Sequence, residues 1–171
     1  MNNQMPNWDA GDPAGSLLRV AGFLRGSARQ MFLDAGTHVE ILFLLADDGT
    51  IQPVPIGPPL TRESIAETLR EQIPDSNVYG LIHISEGWVY VSEGPGDHTM
   101  KQLTLGEMNV SDLKDDDKKE VLMVAMISRD GESTVWMDEI IRSDKGPVQL
   151  GQGMCHPNMK FPIGNPFAKH G

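Results

Sequence analysis

The stretch Val78 to Ser92 (VYGLIHISEGWVYVS) constrains this chain most. It is the longest run rich in β-branched and aromatic side chains, which fit a pleated, half-buried surface. It predicts a central strand over 78–92. Gly87 interrupts the pattern, and a glycine inside a strand predicts a kink between Ser85 and Gly87. Downstream, 120–128 (EVLMVAMIS) is almost continuously apolar, as a strand covered on both faces must be. Asp130-Gly131 then turns the chain into 133–141 (STVWMDEII), which gives a hairpin.

Upstream, His38 to Leu45 reads as an interior strand, with mainly apolar residues on both faces. Asp47-Asp48-Gly49 is turn chemistry. The return strand, 50–56, contains Pro53 and Pro55, which remove ladder donors and assign it to a sheet edge. Two segments carry helical periodicity instead. Leu17, Val20, Ala21, Leu24, Ala28, Met31 and Phe32 make one apolar stripe, with Ser16 as N-cap and Gly36 as stop; Gly22 and Gly26 invite a break. Thr61 caps a second helix over 61–73, with Ile65, Ala66, Leu69 and Ile73 as its stripe and Pro74 as its end.

These elements predict an α+β domain over 16–142. A mostly antiparallel, mixed sheet of about five strands carries the helices 16–35 and 61–73 on one face. Leu24, Phe32, Ile41, Phe43, Leu69, Ile82, Ile84, Val124 and Met126 are the expected core. Residues 1–15 form a flexible or docked arm anchored by Trp8, 93–119 a polar connection, and 143–171 an irregular extended arm.

Charge excludes several roles. With 14 basic and 24 acidic side chains the formal charge is −10, which opposes nucleic-acid backbones and acidic membrane surfaces. The apolar segments are interrupted by Arg, Gly or Asp, so no membrane span is expected. The polar start of the chain lacks the apolar core of a signal peptide. Cys155 is the single cysteine and permits no internal disulfide. A cytoplasmic protein is expected.

The chain resembles a loosely defined set of uncharacterised α/β proteins from phage and bacterial genomes. Glu86-Gly87-Trp88 supplies an acid and a tryptophan at a strand bend. Asp117 to Leu122 is a charged turn entering a strand, and Ile140-Ile141-Arg142 ends the last strand in arginine. The likeness spans about 38–142. It implies no activity, but it implies a phage- or prophage-encoded accessory protein, with the virion as an alternative location.

No motif specifies a chemistry. His38-Val39-Glu40 matches the His-x-Glu of zinc deaminases, but the Pro-Cys-x-x-Cys that completes that site is missing. His38, Glu40 and His83 could together make a metal site with open positions. Against this, His83 reads as a partly buried histidine hydrogen-bonded to backbone, and Glu40 as sitting at a strand rim or paired with an arginine such as Arg29. His83, Ser85 and Glu86 have the residue types of a hydrolase triad, but Glu86 points opposite and no Gly-x-Ser-x-Gly elbow surrounds Ser85. Asp115-Asp116-Asp117 lacks EF-hand spacing. Gly94-Pro95-Gly96 lacks the Gly-Lys-Ser/Thr of a phosphate loop.

The resulting expectation is a non-catalytic structural or interaction protein without cofactor, using its arms to bind a protein partner or to form a homo-oligomer. A metal-assisted enzyme built on His38, Glu40 and His83 is the alternative. The C-terminal arm is apolar and poor in charge, unlike a free solvated tail. Met154, Met159, Phe161, Ile163 and Phe167 are its expected docking residues, seated in a groove of its own domain or of a neighbour.

Overall fold

In the computed structural model, which describes residues 4–92 and 94–168, α1 runs from Pro13 to Ala35. It begins earlier than its apolar stripe suggests, because Asp12 and not Ser16 caps it. The Asp12 carboxylate accepts from Gly15 N at 3.0 Å, and Pro13 brings the fixed φ favoured at a first helical position. Ser16 is buried and ties down the preceding arm: its hydroxyl accepts from Asp9 N at 2.9 Å. Trp8 docks too, donating through Nε1 to Asp47 O at 2.9 Å and meeting Tyr79 edge-on. Gly22 and Gly26 do not break α1. Each costs about 1 kcal/mol against Ala, and the buried stripe from Leu17 to Phe32 overrides it.

The described residues form one antiparallel sheet in the order β2-β1-β3-β4-β5-β6. Its strands are β1 (Ile41–Ala46), β2 (Ile51–Pro55), β3 (Val78–Val89), β4 (Lys119–Ser128), β5 (Ser133–Ile141) and β6 (Gln149–Pro157). The expected α+β class and antiparallel pairing are present, with β2 and its prolines at one edge. The sixth strand comes from the stretch that sequence reads as irregular. It is exposed along most of its length, so it carries no alternation to detect.

The predicted kink at Gly87 is absent. β3 pairs with β4 without interruption from Gly80↔Ser128 to Val89↔Lys119. The irregularity lies at the other end, between β1 and β3, where Ala46 pairs with Val78 and Tyr79 is skipped. That skip places Tyr79 in the same core as Ile82 and Ile84.

The helices lie on opposite faces, not on one. α1 packs with Leu45, Ile82, Ile84, Leu122, Val124 and Ile140. α2 (Arg62–Gln72) packs with Leu42, Leu81, Val121, Ala125 and Val135, joined by Phe161 and Ile163 from the C-terminal segment. The physical reason is the double-sided apolar character of β1, β3 and β4, which one helical layer cannot cover. Thr61 caps α2 as predicted, accepting from Ser64 N. The 93–119 connection is not plain loop: it holds α3 (His98–Leu105), capped by Asp97. No helix among the described residues is long and apolar enough to cross a membrane.

Candidate functional site

Alternation along β3 turns Leu81, His83 and Ser85 toward the α2 face. The register seats His83 between Leu42 of β1 and Ala125 of β4, where it is fully buried. Glu40, just before β1, brings Oε1 to 2.7 Å from His83 Nε2. Arg62, the first residue of α2, places Nε 2.5 Å from the same oxygen. Phe161 closes the site with its ring edge-on to the imidazole, 6.3 Å between centroids. Burial pushes the Glu40 carboxyl up, but hydrogen bonds from His83 and Arg62 outweigh it and hold it below the ordinary 4.5. A carboxylate only accepts, so Nε2 of His83 carries the shared proton. Among the described residues Nδ1 has no hydrogen-bond partner, and neither does the buried Ser85 Oγ.

Of the three residues expected to share a metal, the structure brings Glu40 and His83 together and leaves His38 out. His38 precedes β1, so strand alternation does not govern it. Its ring lies against its own chain, Nδ1 2.6 Å from Val39 O, and its amide donates to Glu86. Among the described residues no three His, Cys, Asp or Glu side chains stand together as a metal-ligand set. The Arg62 guanidinium on the Glu40 oxygen also opposes a cation there. Arg62 and Phe161 are the parts of this cluster that sequence reading missed.

Glu86 does not join His83 and Ser85 but faces α1. There the short segments around Glu86, Glu120 and Arg142 converge. Arg142 grips Glu120 through Nε and Nη2, both at 2.8 Å, and lies 3.6 Å from Glu86. Its Nη1 donates to Gly36 O at the end of α1. Lys118 sits 4.9 Å above the Trp88 ring. These short motifs therefore join β3, β4 and β5 to α1 at one end of the sheet.

A second buried cluster escaped sequence reading. Asp138, pointing from β5 to the α1 face, is fully buried and bound by Arg25 and Arg29. The signal was available: an acid at an inward position of β5, and two arginines four residues apart beside the α1 stripe. Gly153 of β6 lies directly over this ion cluster, where a Cβ would collide with Arg25 Nη2 and Asp138 Oδ1.

The C-terminal segment packs on its own domain. Phe161 and Ile163 are buried in the α2-side core and Phe167 packs against it. Two of the five expected docking residues are thus core and closed to a partner. Met154 and Met159 stay 38% and 41% exposed. Met154 belongs to β6, whose described pairing is to β5 alone. Comparison with protein-family models, curated proteins and solved structures finds no match to this chain.

Proposed function

We propose that this protein is a non-catalytic interaction protein that assembles by strand addition along the outer edge of β6. In a phage or bacterial setting it serves as an accessory or structural component. The observation that carries this reading is the contrast between the two sheet edges. β2 has five residues, two of them prolines, and is blunted against pairing. β6 has nine residues, with Gln152 through Pro157 all exposed and no Asp, Glu, Lys or Arg. A long uncharged edge offers main-chain donors and acceptors to an incoming strand. Catalysis has less support, because His83 and Ser85 are fully buried and Phe161 covers the imidazole.

The test is co-purification with the tagged chain from cells that also express an untagged copy, wild type against Cys155→Pro, which removes an outward main-chain donor. A stoichiometric partner, of whatever identity, held by the wild type and lost by the variant is expected. Equal recovery with both proteins would overturn the reading.

A further inference from the structure

Resting on the assembly reading, we infer that the strand added to β6 is β6 of a second copy, antiparallel about a twofold axis at Met154. The ladder fixes which groups are available. Asn158 N donates to Ser133 O at 2.7 Å, so position 158 faces inward. Alternation then directs His156 and Met154 to β5, while Gly153, Cys155 and Pro157 face outward. Pro157 has no donor to offer. Rotation about Met154 sets Gly153 opposite Cys155 of the other copy and Cys155 opposite its Gly153. Both are outward positions, so each pair can exchange its two hydrogen bonds.

The side chains agree with this register. Met154, 38% exposed, meets its own counterpart across the axis as a non-hydrogen-bonded pair, where side chains approach most closely. The regular ladder ends at Gly153, because Gly151 and Gln152 stand together against Glu139 where the β5–β6 register shifts. No charge meets a like charge. This matters for a chain of formal charge −10, whose copies repel one another along most other lines of approach. The pairing also closes. It joins two six-stranded sheets and leaves only the proline-bearing β2 edges outside, so the product is a dimer and not a fibre.

Light scattering on the 171-residue chain reads the mass directly, against 18.8 kDa for one copy. Twice that mass is expected for the wild type and for Cys155→Ser, and a single-copy mass for Cys155→Pro with its circular dichroism retained. Should Cys155→Pro lose its fold, Gln152→Lys carries the same expectation, since it charges the edge while keeping every donor. In a Cys155→Ser background, Met154→Cys should form a disulfide-linked dimer on oxidation, because facing non-hydrogen-bonded pairs lie within disulfide reach. Gln152→Cys in that background should not. A monomeric wild type, or a dimer that persists in a folded Cys155→Pro, overturns the inference. A monomeric wild type whose co-purifying partner is still lost in Cys155→Pro overturns the second-copy assignment alone and leaves the assembly reading standing.

Discussion

Asp138 and Arg25, 113 positions apart, form a two-point ion pair. Arg25 Nη2 donates to Oδ1 at 2.7 Å and Nε to Oδ2 at 3.2 Å. The carboxylate is fully buried, while Arg25 and Arg29 are 26% and 33% exposed. The acid therefore depends on the arginines more than they depend on it. Losing both arginines would strand a buried charge, whereas losing Asp138 lets them turn to water. Removing both arginines, Arg25→Ala with Arg29→Ala, should cost about 3 kcal/mol, the lower end for a broken buried pair. Asp138→Ala should cost less, because the freed arginines reach water. Urea unfolding midpoints give both values, and a larger loss for Asp138→Ala would show that the order of dependence is reversed.

Two glycines of the sheet are set by close approach. A Cβ on Gly80 would lie 2.7 Å from Leu17 Cδ2 and 3.3 Å from Ile127 O, between α1 and the sheet. On Gly153 it would intrude on the Arg25–Asp138 pair. Gly80→Ala and Gly153→Ala should each cost about 1–3 kcal/mol through overpacking. Gly87→Ala is the control, since nothing lies within 4 Å of its Cβ position. Thermal melting that ranks Gly87→Ala with the other two would remove the steric explanation.

Glu40 gives stability a dependence on pH. Its folded-state pKa is below the ordinary 4.5, so below that value the unfolded chain binds more protons than the native one. The stabilisation is complete above the unfolded pKa and is lost as pH falls through the lowered folded pKa. The stability difference between wild type and Glu40→Gln should be constant above pH 4.5 and shrink below it. A difference that holds steady through acid would show that the hydrogen bonds do not depend on the carboxylate charge.

How much of this was legible in the sequence depended on whether a residue's role was local. Thr61, Pro53 and the alternation of β5 act within a few positions, so their elements were placed closely. The two-helix layer was misread on one face, although the apolar runs of β1 and β4 already required cover on both. Glu40 and His83 do meet, but with Arg62 and without His38, so neither the metal set nor a pairing with Arg29 describes them. Arg62 and Phe161 could not be assigned to them, because those contacts depend on how α2 and the C-terminal segment return across the sheet. β6 was invisible for a different reason. An exposed edge strand needs no apolar period, and its glycines and Pro157 imitate a loop.

Ser85 offers a test of whether the His83 face is purely structural. Its hydroxyl is fully buried and has no hydrogen-bond partner among the described residues. A buried hydroxyl without a partner costs about 1–3 kcal/mol. Ser85→Ala should therefore leave stability unchanged or raise it by about 1 kcal/mol. A loss of that size in chemical unfolding would mean that the hydroxyl has a partner, such as a buried water shared with His83 Nδ1.

Phe161 connects the C-terminal segment to the domain. It is 2% exposed, packs in the α2-side core and closes the face of His83. Ser133 Oγ donates to Met159 O at 2.6 Å just before it, so the main chain is held as well as the ring. Phe161→Ala should cost about 3–5 kcal/mol, as for other large-to-small changes in a core. It should also open a path from water to His83. β6 is paired to β5 independently, so the oligomeric state should not change while the protein remains folded. Solvent exchange of the His83 ring by NMR, measured alongside light scattering, separates the two consequences. Faster exchange at unchanged mass is the expected result. A change of mass in a folded Phe161→Ala would mean that the segment after β6, and not the strand edge, holds the assembly together.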